Sequence, residues 1–140
     1  MKLTIDKASI IVDQALAYAR AHKIRPLCVA VLDEGGHMKA LKRDDGASLL
    51  RPTIAVGKAW GAVGMGESSR HLGNRLKDMT AFLGALSGMR GGKVVPVAGG
   101  VLIMDGDAII GAAGASGASA DEDEAAVVAG IKAAGLAHKI

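Results

Sequence analysis

The strongest constraint in this chain is a turn. Asp105-Gly106-Asp107 stands between two apolar runs, residues 101–104 and 108–112. An Asp-Gly pair supplies the left-handed backbone that a tight hairpin needs, so the flanking runs become neighbouring antiparallel strands. The same grammar occurs earlier. Residues 27–32 (Leu-Cys-Val-Ala-Val-Leu) are apolar, Asp33-Glu34-Gly35-Gly36 is a turn cluster, and residues 37–42 alternate polar and apolar side chains. Two hairpins commit the chain to a mainly antiparallel sheet.

Helical periodicity fills the intervals. Residues 4–22 carry Ala8, Ile11, Val12, Ala15, Leu16 and Ala19 at three- and four-residue spacing, with Thr4 able to cap the first turn and Asp6 placed to complement its dipole. Residues 48–63 continue the pattern, with Pro52 near the first turn. Ser68 or Ser69 can cap a further stretch through Arg70, His71, Leu72 and Leu76. Residues 80–86 read as a short helix, 88–93 as a flexible loop and 94–98 as a strand interrupted by Gly99-Gly100. Residues 114–117 leave the sheet. Residues 121–138 form the last helix, acidic at its start and ending on His138 and Lys139. No linker or repeat divides the chain, so residues 1–140 are expected to form a single α/β domain of the α+β kind.

Composition narrows the function. Only Tyr18, Trp60 and Phe82 are aromatic, against 20 glycines. The core is therefore built from small and aliphatic side chains, each giving modest burial, which favours self-association. The formal charge of +3 is scattered, with no basic stripe or stacking platform, which argues against nucleic-acid binding. Cys28 is the sole cysteine, so an intramolecular disulfide and a C-x-x-C or zinc cluster are excluded and a reducing compartment is expected. The first residues lack a secretion signal and no run of about 18 apolar residues occurs, so the expectation is a cytoplasmic protein with no membrane span.

The motifs, taken in order, resemble the GlcG/HbpS-like, haem-degrading family. Val29-Ala30-Val31-Leu32-Asp33-Glu34-Gly35-Gly36-His37 is similar to that family's first hairpin. Lys58-Ala59-Trp60 with Gly64-Met65-Gly66 resembles its middle helix and following loop. Gly99-Gly100-Val101 and Asp105-Gly106 resemble its second hairpin, and Gly114-Ala115-Ser116-Gly117 followed by Asp123-Glu124 resembles its closing signature. Three positions depart: Leu102 replaces a common Pro, Ala115 a common Val, and Ser69 a loop hydroxyl that is usually Thr. The resemblance implies a profilin-like core, a five-stranded antiparallel sheet flanked by helices. It also implies homo-oligomers, often octamers built from dimers, and a haem or related tetrapyrrole ligand. A similar domain is fused to some corrinoid adenosyltransferases of the PduO type, and other members stand beside catabolic enzymes.

Against that frame the candidate ligand-binding residues are His71, Ser69, Arg70, Lys58, His37 and Asp123. A neutral imidazole at His71 can ligate haem iron, the competing reading being a solvated helix start. Arg70 or Lys58 can pair with a propionate, although Lys58 is equally a snorkelling lysine. His37 can face a pocket at the sheet end or sit exposed on its hairpin. Asp123 can cap the last helix or line the cleft. Ser116 in Gly-Ala-Ser-Gly lacks the spacing of a nucleophile elbow, and no glycine pattern fits a P-loop or dinucleotide fingerprint. Two functions follow. One is a small-molecule binding protein, for haem or a related tetrapyrrole. The other is a catabolic enzyme or accessory protein acting on a small hydroxy acid, aldehyde or lactone, gripping a carboxylate with Lys58, Arg43 or Arg70 and moving protons with His37 or His71.

Overall fold

The structure is a computed structural model describing residues 1–91 and 94–140. Two hairpins form where the turns demand them. Strand β1 (Cys28–Asp33) pairs with β2 (Met38–Arg43), and β3 (Gly100–Asp105) pairs with β4 (Ala108–Ser116). Each hairpin carries a one-residue register shift beside its turn, at Val31/Leu32 and at Ile103/Met104, which sharpens the local twist. β4 also pairs with β1, and a short β5 (Ala137–Lys139) closes the other edge against β3. The result is one five-stranded antiparallel sheet in the order β2-β1-β4-β3-β5.

Strand alternation sends side chains to opposite faces. Val29 and Val31 of β1, with Val101 and Ile103 of β3, meet α1 (Ile5–Ala21) and α5 (Ala120–Ala133). Cys28, Ala30 and Leu32 of β1, with Leu102 and Met104 of β3, meet α2 (Arg51–Met65) on the other face. Beyond α2 lie α3 (Ser69–Leu76) and α4 (Thr80–Gly88), packed through Leu72, Leu76, Leu83 and Leu86 against Trp60, Met65 and Val94. Thr4 caps α1 by accepting the Lys7 N–H, and Ser119 forms a capping box with Glu122 at the start of α5.

The small residues have a geometric purpose. A Cβ on Gly114 of β4 would stand 2.2 Å from the Ala55 carbonyl of α2, and one on Gly100 of β3 would stand 2.3 Å from the Lys58 carbonyl. Only glycine lets α2 approach the sheet this closely.

Three sequence expectations are corrected. Residues 94–98 form no strand: Pro96 has no N–H to give a ladder, and its carbonyl packs instead against Gly73 of α3. Residues 114–116 stay in the sheet, because β4 lies between β1 and β3 and pairs with both. The last helix stops at Ala133, and after Gly135 (φ +74°) the chain turns back so that 137–139 become β5. In the expected 88–93 loop, α4 extends to Gly88 and a 3-10 turn covers Met89–Gly91, while residues 92 and 93 lie outside the described residues.

Candidate functional site

Lys58 does not snorkel. On α2 its side chain turns inward and is buried. Its Nζ donates to Asp123 Oδ2 at 2.9 Å, and the two side chains are 4% and 3% exposed. The pair joins α2 and α5, helices on opposite faces of the sheet, past Gly99, where a Cβ would stand 2.8 Å from Lys58 Nζ. Asp123 Oδ1 accepts the Ala118 N–H at 3.0 Å. Burial pushes the Asp123 carboxyl above the usual carboxylate range, and it outweighs the opposing pull of Lys58, the Ala118 N–H and the Arg51 charge. Arg51 itself donates to Ser116 Oγ at 3.1 Å.

Ser69 sits beside this pair, fully buried. Its Oγ accepts the Gly100 N–H at 2.7 Å and donates to the Val97 carbonyl at 2.6 Å, tying α3 to the entry of β3. Lys58, Asp123 and Ser69 are therefore brought together around Gly99 and Gly100. Lys58 and Asp123 already engage each other, and Ser69 is satisfied by backbone groups.

Arg70 and His71 point away from that interior. Arg70 Nε donates to Glu124 Oε2 at 3.0 Å, and its Nη2 pairs with Asp121, so the first turn of α5 holds the guanidinium. These two carboxylates, Glu124 foremost, raise its pKa further. Ser68 is the cap of α3, accepting the His71 N–H at 3.1 Å. The His71 side chain is 61% exposed, and its Nδ1 lies 3.2 Å from Glu67 Oε2. A carboxylate only accepts, so Nδ1 carries a proton, and in the neutral imidazole Nε2 is the nitrogen left with a lone pair. Arg75 clamps Glu67 from the other side, Nη2 to Oε1 at 2.8 Å. Burial pushes the Glu67 carboxyl up, but hydrogen bonds and charge from Arg75 and His71 outweigh it and leave the pKa below the usual range. His71 opens onto a cleft of about 330 Å³ lined by Gly66, Glu67, Ser68, Lys139 and Ile140.

His37 lies elsewhere, at the β1–β2 turn. It lines a separate cleft of about 450 Å³ with Glu34, Gly35, Gly36, Trp60, Val63 and Gly64. The six residues singled out in the sequence thus occupy an enclosed interior cluster, a surface ion-pair cluster and two clefts. Glu67 and Lys139 were missed. Glu67 stands in the turn just before the Ser68 cap of α3, close to the His71 candidate in sequence. Lys139 had no such signal, because its place depends on β5.

A five-stranded antiparallel sheet between helical layers, with an oriented imidazole at a surface cleft, defines a small α+β protein of ligand-binding type. The family model described as haem degrading protein HbpS-like matches residues 3–132, and the chain belongs to that family. Two solved structures extend the likeness. PduOC in a complex with haem is 26% identical over the whole of both chains, with a TM-score of 0.88. A double-mutant form of Streptomyces reticuli HbpS is 28% identical, covering 94% of this chain and 86% of that one, with a TM-score of 0.82. The corrinoid adenosyltransferase PduO of Citrobacter freundii is 31% identical over 108 residues, 76% of this chain. The match takes in 32% of that relative, so the chain spans about a third of the length of the curated relatives it matches.

Proposed function

We propose that this chain binds haem or a related tetrapyrrole, with His71 Nε2 as the iron ligand. The observation that carries the reading is the Arg75–Glu67–His71 chain. A carboxylate on Nδ1 fixes the tautomer, orients the ring and raises the basicity of Nε2, as it does for metal-ligating histidines generally. Bound haem would supply an iron centre for ligation or redox chemistry. The residues fit such a group at one edge: an oriented imidazole, the Lys139 ammonium for a propionate, and Ile140 as apolar surface. The family description and the haem complex of PduOC support the same ligand.

The cleft, at about 330 Å³, is at the small end of ligand pockets, which run from about 300 to 1,000 Å³. A flat macrocycle would project beyond it, and a second copy of the chain would cover the remainder. This supports a homo-oligomer, as do the exposed apolar residues Leu49, Leu50 and Val97, and an octamer assembled from dimers is the form that the family resemblance implies. Light scattering on the purified protein tests the assembly. No described helix is long and apolar enough to cross a membrane, and the lone reduced thiol at Cys28 is consistent with a cytoplasmic setting. A single sheet drawing strands from both ends of the chain supports one domain over residues 1–140.

The catabolic alternative is less favoured. Each cation proposed to grip a carboxylate is already engaged: Lys58 by Asp123, Arg43 by the Ala47 carbonyl, and Arg70 by Asp121 and Glu124. Titration with hemin tests the haem reading. A saturable, stoichiometric shift of the Soret band is expected, and a linear, unsaturable response would remove the tetrapyrrole.

A further inference from the structure

The His37 cleft shares no lining residue with the His71 cleft and has no part in the haem reading. We infer that this cleft, between the β1–β2 turn and α2, is a second binding site, for a small organic cation: an amine with an apolar body.

The walls select charge. One side carries the Glu34 carboxylate and the His37 imidazole, the other the Trp60 indole, and neither lysine nor arginine lines the cleft. A carboxylate and an indole both attract a cation, and a neutral imidazole offers a further acceptor. An anion would meet only repulsion from Glu34. Among the described residues no cluster of three or more His, Cys, Asp or Glu is able to hold a metal ion, so a Glu34–His37 pair is not enough for a metal site.

The turn is preorganised. Asp33 Oδ1 accepts the N–H groups of Gly35 and His37 at 2.9 and 3.0 Å, which fixes the residues presenting the polar wall. Gly36 (φ +80°) brings the backbone against the indole, where a Cβ would lie 3.4 Å from Trp60 Cδ1 and Nε1. Meanwhile the polar tips of Glu34, His37 and Trp60 make no hydrogen bond or ion pair with other described residues, unlike the interior groups around Lys58.

The walls also select shape. Trp60 and Gly64 line a second, apolar cavity of about 130 Å³ with Gly61, Met65, Leu86, Met89 and Val94. Gly64 has nothing within 4 Å of where a Cβ would stand, so it leaves the junction open. A cationic head can sit by Glu34 while an apolar ring or chain extends along Trp60 into this annex.

Trp60 is the only tryptophan, so its emission reports on the site. Benzylamine, benzyl alcohol and benzoate share a ring and differ in charge. Titration of the full chain with each, read by Trp60 fluorescence and by saturation-transfer NMR on the probe, is expected to give saturable benzylamine binding at least tenfold tighter than the other two. Glu34→Gln, on an exposed turn, is expected to weaken benzylamine about fivefold or more and to leave the hemin titration unchanged. Equal affinities for the three probes, or no saturable response by either readout, would overturn the site. Displacement of benzylamine by stoichiometric hemin would assign the cleft to the tetrapyrrole and overturn it too. Failure of hemin to bind anywhere would leave the amine result standing.

Discussion

Asp123→Ala would leave the Lys58 ammonium charged and unpaired in a site where it is only 3% exposed. Breaking a buried ion pair from one side costs about 3–5 kcal/mol, because the surviving charge keeps its desolvation penalty without its partner. The Ala118 N–H loses its acceptor in the same substitution, adding about 1 kcal/mol. At roughly 3–5 °C per kcal/mol for a chain of this length, Tm is expected to fall by about 12–30 °C. Lys58→Met strands Asp123 instead and is expected to cost a similar amount. The double variant Lys58→Met/Asp123→Leu removes both charges and is expected to recover to within about 2 kcal/mol of the parent, since apolar replacement of a buried pair is often neutral. Urea unfolding of these four proteins and of the Asp123→Leu single variant, extrapolated to water, closes the cycle. Single substitutions costing under about 1 kcal/mol, or costs that simply add in the double variant, would refute the claim that the two charges are desolvated together.

Gly114→Ala places a Cβ against the Ala55 carbonyl and is expected to destabilise by about 1–3 kcal/mol or more, whereas Gly64→Ala, with open space and a helical backbone, is expected to stabilise by about 0.5–1 kcal/mol; urea unfolding distinguishes them. The folded Glu67 pKa lies below its unfolded value, so its stabilising contribution is present above the unfolded pKa and is lost as pH falls through the folded one. Carboxyl NMR is expected to show this depressed midpoint, rising toward the ordinary range in Arg75→Gln. Burial pushes the Cys28 thiol up to about 11, so a disulfide-exchange reagent at pH 8 is expected to label it only as the protein unfolds. Prompt labelling of the native protein would contradict its placement between β2 and β4.

Local chemistry made the hairpins legible: Asp-Gly and Gly-Gly turns, period-two strands and the amphipathic face of α1 each act over a few residues. What sequence could not resolve depends on contacts far along the chain. β5 has only three residues and exists because β3 offers an edge, although Gly135 carried a stop signal that the acidic start and basic end of the segment overrode. Residues 94–98 look like a strand in composition, yet Pro96 and the crossing at Gly73 hold them in a connecting segment. Residues 114–116 are too small to read as strand, and smallness is what the close approach of α2 requires. For the candidate site, residue types were legible and their grouping was not. Lys58 and Asp123 are 65 positions apart and meet inside the molecule, which turns two plausible ligand contacts into one structural pair. Glu67, by contrast, stood four residues before His71, just ahead of α3, and its short sequence distance made it available to a local reading.

The central claim rests on one imidazole. Hemin titration of wild type and His71→Ala, with and without free imidazole, tests it most directly. The account predicts at least a tenfold loss of affinity in His71→Ala, with the wild-type Soret position regained when imidazole is added. An unchanged affinity and an unchanged Soret band in His71→Ala would contradict it and move the iron ligand away from α3.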